Sequence, residues 1–379
     1  MTQASLSRNA GEWAEFYVLL NVLAEGRLYA ADGSLNKLTD NYFPVIKIEM
    51  QKSGQPREQP IPIEYIINAS AQTITVSTEG NSRVIDMSTF SEEAASFFQI
   101  ISTRRGGGAF QVPEISRVLD MLNNPVTKQS SSKKADIHIV IHDIMTGFEN
   151  EVGFSIKSKH SSAASLINAS GQTLFQYEIV CKTNSNVADM RSSLAPTVGP
   201  KVRVNRLLTA GFDLEFTAVK SNFFRENLQL IDSSMDVFLA DCLLVFMQNS
   251  ISGLAEIVEL VSTRNPCDFK TSCPQRRLDF YQYKMKRLIV DAALGMQPKA
   301  PWTGVYDASG GYIVVKSTGD VVCYHLYNWN ALQDYLFNNL RFETPTSTGA
   351  GSKASFNYGL YYSVEDVHFM DICLQLRFK

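Results

Sequence analysis

Asp136, Ser155 and Lys157 are the residues of this chain whose types and spacing most readily do chemistry, and they fall in two β-like runs. In the first, Ile137, Ile139 and Ile141 alternate with Asp136, His138, Val140 and His142, the period-two pattern of a strand with one buried face. In the second, Glu151, Gly153, Ser155 and Lys157 share one face, and Val152, Phe154 and Ile156 share the other. Thr146-Gly147 marks a turn between the runs, so they read as a hairpin that brings Asp136 near Ser155 and Lys157. An aspartate on one strand with a lysine on the next suits metal-dependent phosphodiester hydrolysis. The carboxylate holds a divalent cation, and the ammonium stabilises charge or orients the attacking water.

Other elements must frame that hairpin. Residues 9–25 read as a helix, with Trp13, Phe16, Tyr17, Leu20, Leu23 and Ala24 at helical spacings. Asn9 followed by Glu12 has the form of a capping box. Glu12 also ends a stripe formed with Phe16, Leu19 and Leu23, so burying the stripe would carry its carboxylate along the core. Both roles for Glu12 stay open at this point. Strands are expected at 43–51 and twice within 61–77, and helices at 91–101 and 112–122. The intervening Arg104-Arg105-Gly106-Gly107-Gly108 lacks the Lys-Ser/Thr ending of a phosphate-binding loop and reads as a flexible basic loop.

Past the hairpin, Ser158, Lys159 and Asn168 offer donors for phosphates and base edges, or else form a polar turn. Arg203 and Arg206, with Lys201, are interleaved with Val202 and Val204: a basic strip beside a groove, or charge exposed on a strand. Residues 232–261 read as two packed core helices, and a third helix runs to about Gly295. Residues 312–316 and 321–325 form a hairpin around 317–320, 332–339 a short helix, and 371–377 a closing strand. Between the last two, Arg341, Thr344 and Lys353 join a Thr/Ser/Gly tract that suits DNA contact, or a plain surface loop.

At 379 residues the chain can bury a large core, and its 19% charged content suits a folded protein rather than a disordered one. The net charge of −3 does not advertise nucleic acid, so any basic surface must be local. The six cysteines have no zinc-site spacing and read as reduced thiols in the cytoplasm. No run is long and apolar enough to span a membrane, no nucleophile elbow marks a serine hydrolase, and the five histidines make no metal pattern.

The order Asp136, turn, Ser155-Ile-Lys157 is similar to the PD-(D/E)xK core of restriction endonucleases. The longer strings Lys134-Ala-Asp-Ile, Gly153-Phe-Ser-Ile-Lys-Ser and Leu166-Ile-Asn-Ala-Ser resemble the HpaII group of type II restriction enzymes. So do Gly11-Glu-Trp-Ala-Glu, Gly26-Arg-Leu-Tyr-Ala-Ala-Asp, Gly310-Gly-Tyr-Ile-Val-Val-Lys, Asp334-Tyr-Leu-Phe-Asn-Asn and Phe342-Glu-Thr-Pro, which cover most of the chain. Two departures from the generic core stand out: Ala135 replaces the usual Pro, and Ser155 sits where a metal-binding carboxylate is expected.

The resemblance implies an α/β (α+β) fold with a restriction-endonuclease-like core, a central mixed sheet flanked by helices, and a C-terminal α+β extension. The expected division is a nuclease core over 1–200 and, over 201–379, a helical and β-rich region for DNA recognition and dimerisation. The implied activity is Mg²⁺-dependent cutting of double-stranded DNA at a short palindrome, CCGG. Two-fold protein symmetry matches such a site, so a homodimer is expected, with a monomer that nicks each strand in turn as the alternative. A DNA methyltransferase of the same restriction-modification system is the implied functional partner, in the cytoplasm of a bacterium or archaeon. Asp136 and the Ile156 carbonyl are the expected metal ligands, with Lys157 and Ser155 beside them. Glu12 is expected to supply the missing acid, with Glu15 as its helical neighbour and Glu178 as runner-up. Two other readings compete: a nuclease fold that binds DNA without cutting, which Ser155 favours, and a repair nuclease that reads DNA shape.

Overall fold

The structure is a computed structural model that describes residues 7–52, 61–104, 108–126, 134–144, 146–159, 164–183, 190–191, 194, 199–345, 358–359 and 361–379. The chain divides into two compact units that interleave in sequence. The first is Met1–Ala164, Ala293–Gly295 and Tyr306–Tyr335; the second is Ser165–Ala292, Met296–Val305 and Leu336–Lys379.

The first unit is built on a ten-stranded mixed sheet. The alternation read at 136–142 folds as the strand Ile137–His142, with its three isoleucines buried and the residues between them half-buried. It pairs antiparallel with Glu149–Ser158, in the register His138 to Gly153 and Ile137 to Phe154, so the expected hairpin is present. On its other edge Glu149–Ser158 pairs in parallel with Gly311–Val315, which forms the expected second hairpin with Val321–His325. That hairpin therefore joins the sheet of the first, a pairing across about 155 residues of sequence that local patterning does not show.

The sheet also closes on itself. Val321–His325 pairs in parallel with Arg27–Ala31, which pairs antiparallel with the long strand Lys37–Lys52. The same long strand pairs with Ile137–His142, completing a closed circuit of six strands. Ile61–Asn68, Thr73–Thr78 and Asn81–Asp86 continue outward from Lys37–Lys52 as an antiparallel meander. Closure removes two strand edges that would otherwise need covering.

The helix Ala10–Glu25 supplies the heart of this unit's core. Its N-terminus carries the capping box of Asn9 and Glu12, and Gly26 ends it in the left-handed conformation at φ 65°. Trp13, Phe16, Val18, Leu19, Leu20, Val22 and Leu23 are all fully buried, so the helix is apolar around most of its surface. It joins one cluster with Ile137, Ile139, Ile141, Phe154, Ile156 and Ile313. Each large side chain so buried contributes about 1.5–3 kcal/mol relative to exposure. A second helix, Met87–Thr103, packs on the first through Phe97, whose ring lies 5.7 Å from that of Trp13.

Small residues let the strands at the hairpin approach closely. A Cβ on Gly153 would lie 2.7 Å from both the Ala135 Cβ and the Asp307 carbonyl. Gly311 has φ 111°, and a Cβ there would stand 2.0 Å from the Tyr324 carbonyl.

The second unit holds an antiparallel four-stranded sheet in the order Phe212–Val219, Leu174–Cys181, Val367–Cys373, Tyr361–Val364. A three-stranded sheet joins Ser165–Ile167, Leu376–Phe378 and Leu340–Phe342, so the single closing strand expected at 371–377 is two strands in different sheets. The apolar stretch folds as the expected helix pair, Met235–Gln248 and Leu254–Arg264. Residues 201–206 belong to the helix Pro200–Thr209 rather than to a strand, because Pro200 starts a helix there and Val204 and Leu207 fall on its buried face.

Candidate active site

The hairpin register puts Asp136 and Ser155 on the sheet face opposite Phe154 and Ile156, as the alternation requires. Asp136 Oδ2 accepts the Ile156 backbone N–H at 2.6 Å and the Ser155 hydroxyl at 3.1 Å. The Asp136 N–H donates to the Phe154 carbonyl at 2.7 Å, which fixes the backbone from which the carboxylate extends. Lys157 Nζ donates to Ser155 Oγ at 2.8 Å and to the Ile156 carbonyl at 3.1 Å. Ser155 is 1% exposed, so its hydroxyl is a buried relay between the lysine and the aspartate.

A fourth residue joins this cluster from the parallel neighbour strand, where Tyr312 pairs with Ser155. Tyr312 is 1% exposed, and Lys157 Nζ lies 5.3 Å from its ring centroid. Burial, with the charge of Asp136 adding to it, pushes the Tyr312 phenol well above its usual pKa. In the sequence Tyr312 stands in a hairpin and in one of the strings that carry the resemblance, with nothing that ties it to Ser155 or Lys157. The signal that would have found it is the non-local strand pairing.

The structure places the other expected site residues as follows. Glu12 is in the capping box: its carboxylate accepts the Asn9 N–H at 2.8 Å, and the Asn9 side chain accepts the Glu12 N–H at 3.0 Å. Its charge also acts on Arg8, whose pKa is lowered by burial and raised in part by Glu12 and Glu15. The helix that carries Glu12 packs on the face of Phe154 and Ile156. Glu178 is half-buried in the four-stranded sheet of the second unit, opposite Glu215 and Phe369. Among the described residues, no three His, Cys, Asp or Glu side chains group as a metal site. The oxygens that the cluster offers include the Asp136 carboxylate, the Ile156 carbonyl and the Ser155 hydroxyl. That donor set fits Mg²⁺, which binds through one or two carboxylates and keeps several waters.

Ser158 ends the Lys157 strand and Lys159 follows it; the Lys159 N–H donates to the Val315 carbonyl at 3.0 Å, and burial lowers the pKa of its side chain. Asn168, Arg203, Arg206, Arg341 and Thr344 lie in the second unit. Arg203 is buried and donates to the Gly359 carbonyl, whereas Asn168 is exposed. Arg206 lines an open groove of about 710 Å³ together with Lys201, Asn205, Thr209 and Gln248. The helix thus splits the three basic residues, turning Arg203 inward and leaving Lys201 and Arg206 at the groove. Arg341 and Arg377 both pair with Glu343, each at 2.9 Å. Lys353 and Arg105 lie outside the described residues.

The family model described as HpaII restriction endonuclease matches residues 9–378. The chain is 36% identical over 372 residues to the type II restriction enzyme HpaII of Haemophilus parainfluenzae, covering 98% of each chain. No solved structure matches.

Proposed function

Because the chain belongs to the HpaII restriction endonuclease family, we propose that this type II restriction endonuclease uses Mg²⁺ to hydrolyse double-stranded DNA at a short palindrome, CCGG. The observation that carries the site assignment is the contiguous set Asp136, Ser155 and Lys157 on one sheet face. Both hydrogen bonds to Asp136 go to Oδ2, so the carboxylate is held with Oδ1 available to a cation. Asp136 and the Ile156 carbonyl would hold the metal, which when bound polarises a phosphoryl oxygen and lowers the pKa of bound water. Lys157 places a positive charge where negative charge develops on the phosphate, and hydrogen bonds to Ser155 and Ile156 limit its motion. Ser155 passes no net charge to the site: it accepts from Lys157 and donates to Asp136.

The first unit, with this cluster, fits the restriction-endonuclease-like nuclease core. The second unit fits the DNA-recognition and dimerisation role, with Arg206, Arg341 and Thr344 as candidate DNA contacts beside Ser158, Lys159 and Asn168. A homodimer matches the symmetry of a palindrome. The enzyme would act in the cytoplasm beside a methyltransferase that protects the same site; among the described residues no helix is long and apolar enough to cross a membrane. Incubating purified protein and Mg²⁺ with plasmid and sequencing the fragment ends tests the reading. Discrete fragments with common ends support it. A protein that binds the plasmid without cutting would favour the second reading, to which the absence of an acid at Ser155 points.

A further inference from the structure

We propose that Tyr312 is a positioning residue for Lys157, holding the ammonium over its ring. The inference rests on the assignment of the Asp136 cluster as the nuclease site.

Lys157 has a long, flexible stem, and an ammonium is useful in catalysis only if it is kept within a few tenths of an ångström of its working position. Two hydrogen bonds, to Ser155 Oγ and the Ile156 carbonyl, restrain it from its own strand. Both acceptors are within two residues of Lys157, so they do not by themselves stop the stem from swinging off the sheet. Tyr312 supplies the restraint from outside that strand. Its ring centroid lies 5.3 Å from Nζ, within the range in which an aromatic face attracts a cation.

Tyr312 is itself firmly held. It is 1% exposed, and the parallel register pairs it with Ser155, Gly311 with Phe154 and Ile313 with Ile156. The close approach at Gly311, where any side chain would meet the Tyr324 carbonyl, fixes the strand immediately before it. A rigid residue thereby meets Lys157 through its ring, from the strand whose register pairs it with Ser155. Tyr312 therefore acts through Lys157.

The test compares Tyr312→Phe, which keeps the ring, with Tyr312→Leu and Tyr312→Met, which remove it. Cleavage is measured on plasmid with Mg²⁺ using the full chain, and lysine side-chain resonances are followed in ¹³C-lysine-labelled protein, with Lys157→Arg supplying the assignment. Loss of the ring is expected to lower kcat by ~10-fold or more with KM little changed, since misplacing a catalytic group costs rate rather than binding. The Phe variant is expected to stay within ~3-fold of wild type because the cation still has an aromatic face. The Lys157 resonances should be ring-shifted upfield in the wild-type and Phe proteins and lose that shift in Leu or Met. A folded Leu or Met variant with wild-type kcat overturns the proposal, and so do Lys157 resonances that do not move on loss of the ring. If the wild-type protein cuts no DNA, the nuclease reading falls, and the Lys157 resonances alone then decide whether Tyr312 holds the lysine.

Discussion

Asp136 Oδ2 accepts the backbone N–H of Ile156 at 2.6 Å, so a carboxylate on one strand is tied to the backbone between Ser155 and Lys157 on the next. A backbone N–H cannot rotate away as a side chain can. The carboxylate is therefore oriented by the sheet itself, and the hairpin register becomes part of the site.

Ser155→Ala tests the relay. It removes the hydroxyl that accepts from Lys157 and donates to Asp136, while the Ile156 N–H still holds the carboxylate. Cleavage should fall by ~10-fold, with DNA binding retained, because one restraint on each charged group is lost. Steady-state kinetics beside a gel-shift titration reads both. A wild-type kcat would show that the hydroxyl is only a filler.

Glu12 separates a cap from a metal ligand. Glu12→Gln keeps an oxygen for the Asn9 N–H, so stability should stay near wild type, whereas Glu12→Ala should cost about 1 kcal/mol. The capping geometry leads us to expect that Glu12→Gln cuts at the wild-type rate. Urea denaturation and plasmid cleavage are the measurements. A stable Glu12→Gln protein without Mg²⁺-dependent activity would instead place Glu12 in the metal site.

Gly311 has a structural prediction of its own. Gly311→Ala puts a Cβ 2.0 Å from the Tyr324 carbonyl at φ 111°, so the strand pair must separate. The expected loss is about 3 kcal/mol or more, read as a lower urea midpoint. Tolerance of alanine within about 0.5 kcal/mol would mean that the two strands are not packed so closely.

His325 should make stability depend on pH on the acid side. Burial depresses its pKa to about 4, although the charge of Asp143 opposes this, and the rings of Phe43 and Tyr327 lie against it. Its Nδ1 accepts the Tyr327 N–H, while Nε2 is buried without a partner. A folded pKa below the unfolded value means that the unfolded chain takes up the proton first. The contribution is present in full above about pH 6.5 and is lost as pH falls toward 4, a total of about 3 kcal/mol. Urea titrations across that window should show the slope, and His325→Phe should flatten it. An unchanged slope in that variant would assign the acid sensitivity to other groups.

The hairpin, the first helix with its capping box and the core helix pair were legible because each is a local pattern: period two, period 3.6, or a cap three residues from its partner. Asp136, Ser155 and Lys157 could be grouped for the same reason, since only a short turn separates their strands. Tyr312 was not legible as their neighbour. Its approach depends on a parallel pairing between strands about 155 residues apart, and nothing in either strand's own sequence names that partner. Sheet closure was hidden likewise, as it rests on Arg27–Ala31 meeting both Val321–His325 and the long strand. Residues 201–206 misled because two valines at alternate positions imitate a strand, while the helix that follows Pro200 uses Val204 and Leu207 for burial. Glu12 was expected to supply the missing acid, and the sequence alone could not weigh that role against capping because a cap and a ligand both call for an acid at a helix start.

The central claim is that Asp136 and Lys157 form the cleaving centre of this enzyme. The most direct measurement is Mg²⁺-dependent plasmid cleavage by Asp136→Asn and Lys157→Ala, with binding of the same DNA followed in parallel. Each variant is expected to lose cleavage by ~10²-fold or more and to keep its DNA affinity within a few-fold. Cleavage at the wild-type rate by either folded variant would contradict the account and move the active site elsewhere in the chain.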